Sequence, residues 1–140
     1  MNRRAFVEVS LTALGSVAIA GCASLQTVPV TPERGRARIV VRNYPSLDHQ
    51  GGSLKVLPDG WTAPLYVLAV PGGYVVVSPI CTHQGCTVAI EGSHLVCPCH
   101  GSTYTREGTV VRGPAEEPLR RFPSTLHSDG VLEIDLEGTA

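Results

Sequence analysis

Two short segments of this 140-residue chain bring cysteine and histidine together in a similar order. The segments are Cys81-Thr82-His83-Gln84-Gly85-Cys86 and Cys97-Pro98-Cys99-His100. Each offers one cysteine followed by a histidine, and each contains a second cysteine. Thiolates and imidazoles are ligands of both zinc and iron centres. Two equivalent loops, each giving one thiolate and one imidazole, suit a binuclear iron site in which one iron takes both sulfurs and the other takes both nitrogens.

Two other kinds of site use the same residue types. Structural zinc sites usually repeat a Cys-x2–4-Cys spacing, and a zinc ion would leave Cys86 and Cys99 without a role. A scaffold of disulfide bonds would account for these cysteines, but not for the matched His83 and His100. We therefore expect an iron centre, with zinc and a disulfide scaffold as the alternatives.

Hydroxyl groups follow the second segment closely, at Ser102 and Tyr104. Together with the two Cys/His segments they give a pattern that resembles the Rieske iron–sulfur family, and specifically its high-potential, disulfide-containing branch. The resemblance extends from Arg38 to Leu136, and it rests mainly on the two Cys/His segments. It implies one [2Fe–2S] cluster per chain and a role in one-electron transfer.

The resemblance also assigns the ligands. It places Cys81 and Cys97 on the buried iron. It places His83 and His100 on the outer iron, with their far nitrogens near solvent. The low-potential ferredoxins of aromatic-ring dioxygenases share these ligands, but they lack the second pair of cysteines and an export signal.

The other residues of the pattern receive supporting roles from the same resemblance. Cys86 and Cys99 are expected to form a disulfide that ties the two loops together. Ser102 is expected to donate a hydrogen bond to a bridging sulfide, and Tyr104 to the sulfur of a ligand cysteine. Donors to sulfur stabilise the extra electron of the reduced state, so both hydroxyls are expected to raise the reduction potential.

Two further features bear on the setting of the site. Gly113-Pro114-Ala115, with Pro118-Leu119, resembles the proline-rich loop that covers the cluster from a third side, here with Glu116-Glu117 between the two parts. In the quinol-oxidising cytochrome bc complexes the residue after the first histidine ligand is usually aliphatic. Here it is Gln84, which weakens the expectation of a quinol-docking surface without affecting the cluster ligands.

β-Branched runs and glycine-containing turns dominate the rest of the folded part. We expect strands at Arg38–Arg42 and Val131–Leu136, and hairpins joining Leu65–Val70 to Tyr74–Val77 and Thr87–Ile90 to His94–Val96. No segment shows a sustained helical period. The sequence therefore predicts an all-β fold over residues 37–138, an antiparallel sandwich of small sheets with a cluster-binding subdomain of two loops.

The N-terminus has the pattern of an export signal. A basic start is followed by an apolar stretch from Val9 to Ala20, shorter than the roughly 20 residues of a membrane-spanning helix. Its end, Ile19-Ala20-Gly21-Cys22, resembles the bacterial lipobox. We expect an export signal over residues 1–21, a lipid on Cys22 and a tether over residues 22–36, with an uncleaved membrane anchor as the alternative.

The net charge of the chain and its predicted export limit the partners that it can have. The net charge is −1, and no basic run is interleaved with aromatic residues, so we expect no nucleic-acid partner. The expected location is the extracytoplasmic side of a bacterial cell membrane. The resemblance implies a membrane electron donor, either a quinol/cytochrome b complex or a molybdenum subunit, and a cytochrome c-type acceptor. Three settings are open at the level of the sequence: a free electron carrier, the iron–sulfur subunit of a quinol–cytochrome c reductase, and the small electron-relay subunit of a molybdenum oxidoreductase similar to arsenite oxidase.

Overall fold

The computed structural model describes residues 25–140, and within this range the chain forms β-strands and two short 3₁₀ turns, with no α-helix. The twelve strands are β1 (Thr27–Val30), β2 (Arg36–Val40), β3 (Ser53–Pro58), β4 (Leu65–Val70), β5 (Gly73–Val77), β6 (Ala89–Glu91), β7 (His94–Val96), β8 (Thr103–Thr105), β9 (Val110–Arg112), β10 (Arg121–Phe122), β11 (Ser124–Leu126) and β12 (Val131–Asp135). They form three sheets, which confirms the prediction of an all-β fold built from small sheets.

The central sheet has the strand order β1-β3-β4-β5-β10. Strands β3, β4 and β5 are antiparallel neighbours, and β4 and β5 form the predicted hairpin, in which Val70 pairs with Gly73. Almost every residue of β4 is buried, because both of its faces are covered by another layer. This burial explains the uninterrupted apolar sequence of β4, since successive side chains of a strand point to opposite faces.

One face of the central sheet packs against a three-stranded sheet of order β11-β12-β2. Ile39, Leu132 and Ile134 are buried from the side of this outer sheet, and they share a core with Val56 and Val67 of the central sheet. The alternation of apolar and acidic residues that the sequence shows in β12 therefore separates a core face from a solvated face.

The opposite face of the central sheet packs against a four-stranded sheet of order β6-β7-β8-β9. Tyr66 and Leu68 of β4 share this second core with Leu95, Cys81 and Cys97. The first Cys/His segment precedes β6 and the second follows β7. Because β6 and β7 are antiparallel partners, both segments lie at the same end of this sheet.

Two hydrogen bonds join this sheet to the central sheet. The Tyr66 hydroxyl donates to Val88 O at 2.9 Å, directly before β6. The buried Arg106 guanidinium, which also donates within its own layer to Gly92 O at 3.4 Å, donates to Gly52 O at 2.6 Å, directly before β3. These bonds fix the layer that carries the Cys/His segments against the layer behind it.

Part of the segment that the sequence assigns to a tether lies on the folded domain. Strand β1 pairs in parallel with β3 at the edge of the central sheet, and Val28 and Val30 pack half-buried against the core. The Thr31 hydroxyl also donates to Asp59 Oδ2 at 2.7 Å. Residues 27–31 are therefore not a free tether, because two valines and the edge of β3 hold them in place.

One predicted strand has different bounds in the structure, and the predictions for the N-terminus fall outside the described residues. The strand expected at Arg38–Arg42 begins two residues earlier, as β2, and gives way at Val41–Asn43 to a 3₁₀ turn. The predicted export signal over residues 1–21 and the predicted lipidation site Cys22 lie outside residues 25–140. Between residues 25 and 140 there is no helix with the length and apolar character required to cross a membrane.

Candidate metal centre

Both Cys/His segments fold into the same kind of hydrogen-bonded loop. In each, the N–H of the first cysteine donates to the carbonyl five residues later, and the N–H of the glycine four residues on donates back to the cysteine carbonyl. These distances are 2.7 and 2.9 Å for Cys81, and 2.8 and 2.9 Å for Cys97. Gly85 and Gly101 have φ values of +81° and +78°, a conformation that glycine adopts without a steric penalty. The two segments are thus equivalent in backbone as well as in composition.

The loops place sulfur inside the protein and imidazole toward its surface. Cys81 and Cys97 are each 2% exposed, and neither forms a disulfide. The rings of His83 and His100 lie 4.9 Å apart between centroids and are nearly perpendicular, at 89°. His83 is half-buried and His100 is exposed. The structure therefore brings the four predicted ligands onto two facing loops.

The donor atoms suit a metal-containing group. Burial raises the pKa of the Cys81 thiol, but hydrogen bonds, led by those from the Tyr104 hydroxyl and the His83 backbone N–H, outweigh burial and lower the pKa to about 7. Thiolate is the form of cysteine that binds metals. His83 Nδ1 is buried and has no hydrogen-bond partner among the described residues, which is unusual for a buried polar atom. A ligand bond at this nitrogen would satisfy it, so these residues fit a [2Fe–2S] group.

A disulfide between Cys86 and Cys99 ties the two loops together, with their Cα atoms 6.5 Å apart. This bond confirms the predicted pairing. The sulfur of Cys97 lies within 4.8 Å of both disulfide sulfurs. Because Cys86 and Cys99 are bonded to each other, Cys97 alone of these three cysteines has a sulfur available to a metal.

Tyr104 reaches the first loop from the strand behind it. Its hydroxyl lies 3.3 Å from Cys81 Sγ and 3.0 Å from Thr82 Oγ1, and it accepts a hydrogen bond from the Thr82 backbone N–H at 3.2 Å. Burial, followed by the contact with the Cys81 sulfur, raises the pKa of Tyr104. The phenol therefore keeps its hydrogen at neutral pH and can donate it to sulfur.

The loop from Gly113 to Leu119 contacts both Cys/His loops, as its position in the resemblance implies. The Ala115 N–H donates to Ser102 Oγ at 2.9 Å, and Thr82 Oγ1 donates to Glu117 O at 2.7 Å. The side chains of Ala115 and Leu119 are buried in the same core as the two free cysteines. This loop is the third wall of the site.

Sequence reasoning missed Thr82, whose hydroxyl joins Tyr104 to the third wall. Its position between Cys81 and His83 is the only signal that the sequence carries for such a role. Gln84 is exposed, next to His83, so its polar side chain contributes to the surface around the imidazoles.

Comparison with known proteins gives the family. The family model described as the Rieske [2Fe-2S] domain matches residues 39–123. This range contains both Cys/His segments, the two hydroxyl residues that follow them and the third wall.

The most similar relatives include iron–sulfur subunits of the cytochrome b6-f complex. The subunit from Prochlorococcus marinus (strain AS9601) is 36% identical over 89 residues, which cover 60% of this chain and 50% of that protein. The subunit from Chlorobaculum tepidum is 27% identical over 139 residues, which cover 96% of this chain and 76% of that protein. This chain thus spans about half the length of the first relatives that it matches.

A solved structure gives the same likeness at the level of the fold. The cyanobacterial plasma membrane Rieske protein PetC3 from Synechocystis PCC 6803 is 31% identical to this chain. It aligns with a TM-score of 0.50 over 59% of this chain and 85% of that one.

Proposed function

Since this chain belongs to the Rieske [2Fe–2S] domain family, we propose that it carries single electrons from a membrane donor to a cytochrome c-type acceptor. One [2Fe–2S] cluster per chain supplies a centre that takes up and releases one electron. Cys81 and Cys97 would hold one iron, and His83 and His100 would hold the other.

The separation of sulfur from imidazole within one small site carries this proposal. The two thiols are 2% exposed and lie in an apolar core, which keeps water away from them and from anything bound to them. His100, in contrast, is exposed. A partner protein could therefore approach the imidazole side at the surface without entering a pocket, which suits transfer of an electron between proteins.

A second candidate is the iron–sulfur subunit of a quinol-oxidising complex. The relatives favour it, because they are named as cytochrome b6-f complex iron–sulfur subunits. In this setting the exposed His100, or the half-buried His83, would accept the hydroxyl hydrogen of quinol. Gln84 would then offer a polar contact beside the imidazoles.

Metal and sulfide analysis tests the central proposal. We expect two irons and two acid-labile sulfides per purified chain, and an EPR signal on reduction. His83→Gln and His100→Gln should each abolish the bound iron and sulfide and the EPR signal. His94→Gln is the matched control, because His94 lies in β7 and contacts Ser93, so it should leave the cluster intact. A bound zinc ion without labile sulfide would overturn the proposal.

Quinol oxidation separates the two candidate settings. Two preparations are compared: the isolated chain, and the chain together with a cytochrome b that copurifies with it. The reduction of cytochrome c by quinol is measured in each. Activity that requires the cytochrome b favours the quinol-oxidising subunit. Reduction and reoxidation of the cluster without any quinol activity favours the electron carrier.

We also propose that the folded domain is held on the extracytoplasmic side of a bacterial membrane by a lipid on Cys22, after removal of residues 1–21. Support comes from the lipobox-like sequence and from the four other cysteines, of which two form the disulfide and two are predicted ligands. Mass spectrometry of membrane-extracted protein tests it. A diacylated Cys22 at the mature N-terminus is expected, and an intact Met1 with unmodified Cys22 would favour a membrane anchor.

A further inference from the structure

Thr82 lies within a series of hydrogen bonds that ends on a predicted ligand sulfur. Its Oγ1 donates to Glu117 O at 2.7 Å, since a carbonyl oxygen can only accept. A hydroxyl has a single hydrogen. Toward Tyr104, whose hydroxyl lies at 3.0 Å, Thr82 Oγ1 can therefore only accept.

The hydroxyl hydrogen of Tyr104 consequently has two acceptors. One is Thr82 Oγ1 at 3.0 Å, and the other is Cys81 Sγ at 3.3 Å. Sulfur is larger than oxygen, so the two distances are comparable contacts. A cysteine sulfur that binds a metal has no hydrogen, so Cys81 can only accept as well. The two acceptors must share one hydrogen.

We infer that Thr82 is a positioning residue that lowers the reduction potential of the site, because it competes with Cys81 Sγ for the hydroxyl hydrogen of Tyr104. The Glu117 carbonyl keeps Thr82 in the accepting role by taking the hydrogen of Thr82. A hydrogen bond to a ligand sulfur stabilises the reduced state and raises the potential. A hydrogen that is partly withdrawn toward Thr82 raises it less. The inference rests on the proposed function, since it requires the cluster to be bound at Cys81.

Three Thr82 variants of the cluster-containing full chain test the inference by potentiometric titration. Thr82→Val removes the competing hydroxyl, keeps the backbone N–H and has nearly the same shape, so its midpoint potential should shift upward. Thr82→Ser keeps the hydroxyl and should titrate like the wild type. Thr82→Ala removes the same hydroxyl with a smaller side chain, and it should shift the potential in the same direction as Thr82→Val.

A double variant shows whether the effect passes through Tyr104. In the Tyr104→Phe background there is no hydrogen to share, so adding Thr82→Val should leave the potential where Tyr104→Phe alone places it. A shift of the same size in both backgrounds would overturn the inference, because Thr82 would then act without Tyr104.

Iron and labile sulfide, measured in every preparation, separate this inference from the proposed function. Their absence from the wild type would overturn the proposed function, and this inference with it. Their presence in Thr82→Val with an unchanged or lower potential would overturn this inference alone. Loss of the cluster from both Thr82→Val and Thr82→Ala, with retention in Thr82→Ser, would also overturn it, because the hydroxyl would then serve only to hold the loop.

Discussion

The hydroxyl of Ser102 accepts a hydrogen bond from the Ala115 backbone N–H at 2.9 Å, and both residues are buried. An N–H can only donate, so this contact leaves the hydrogen of Ser102 available for another acceptor. The third wall of the site thereby leaves the Ser102 hydroxyl free to donate toward sulfur. This arrangement gives a physical basis for a potential-raising role of Ser102.

Ser102→Ala should lower the reduction potential while the cluster still assembles. The variant loses a donor whose bond to sulfur is stronger in the reduced state. A net loss of about 1–3 kcal/mol corresponds to about 40–130 mV for one electron, measurable by potentiometric titration. Thr105→Val is the control, because Thr105 lies three residues further along, in β8, and its hydroxyl accepts a hydrogen bond from the Thr109 N–H at 3.3 Å. Equal potentials in Ser102→Ala and the wild type would contradict the role.

Tyr104→Phe should also lower the potential, by a similar amount of about 40–130 mV, because the hydroxyl lies 3.3 Å from Cys81 Sγ. Tyr66→Phe provides a matched control in the same core, since the Tyr66 hydroxyl donates to Val88 O instead of to sulfur. That control should lose stability and keep the wild-type potential. The role of Tyr104 would be contradicted if the two variants shifted the potential equally.

Replacing both disulfide cysteines, Cys86→Ser with Cys99→Ser, should destabilise the fold and shorten the lifetime of the cluster. The bond joins residues 13 apart in sequence, and closing a loop of about this length is worth roughly 3 kcal/mol in the chain-entropy model. Denaturant unfolding gives the stability, and the decay of visible absorbance gives the lifetime.

The single variant Cys86→Ser should lose its cluster faster than the double variant. It frees Cys99, whose sulfur lies within 4.8 Å of Cys97 Sγ, so an incorrect disulfide can remove a predicted ligand. Mapping of disulfides in cluster-free protein checks this. A single variant as long-lived as the double variant would show that no such exchange occurs.

Glu133 should make the stability of the chain depend on pH in the acid range. The hydrogen bond from Arg38, together with that from Arg36, lowers the pKa of Glu133 below its ordinary value of 4.5. Because the folded pKa lies below the unfolded one, the stabilisation is present above about pH 4.5 and is lost as the pH falls through the folded pKa. Glu133→Gln should therefore be less stable than the wild type at neutral pH, and the difference should shrink in acid.

Urea unfolding of wild type and Glu133→Gln from about pH 7 down to about pH 3 measures this difference, because a paired carboxylate loses its stabilisation over roughly pH 5 to pH 1. Glu91→Gln is the control, since Glu91 is the last residue of β6 and makes no ion pair within residues 25–140. A difference between wild type and Glu133→Gln that stays constant across this range would contradict the pairing.

The sequence determined the chemistry of the site and the strands that are specified locally. Cys81 and Cys97, each with its histidine nearby, predicted an iron centre, with zinc and a disulfide scaffold as the alternatives. The β4–β5 and β6–β7 hairpins were predictable because each combines two apolar runs with a glycine turn, and both signals lie within one short stretch of chain. The resemblance supplied the pairing of Cys86 with Cys99, which residue spacing alone left undefined.

The tertiary structure alone decided the contacts between residues far apart in the chain. Strand β1 has too little apolar surface to be recognised by itself, and it becomes a strand because the edge of β3 offers it hydrogen bonds. Thr82 and Glu117 meet across 35 residues, so no local period or turn signal encodes their contact. Which hydroxyl gives its hydrogen to which acceptor depends on these long-range contacts. For that reason the predicted ligands, and the roles expected of Ser102 and Tyr104, could be taken from the sequence, whereas the contact of Thr82 with Tyr104 and Glu117 became visible only once the loops were folded together.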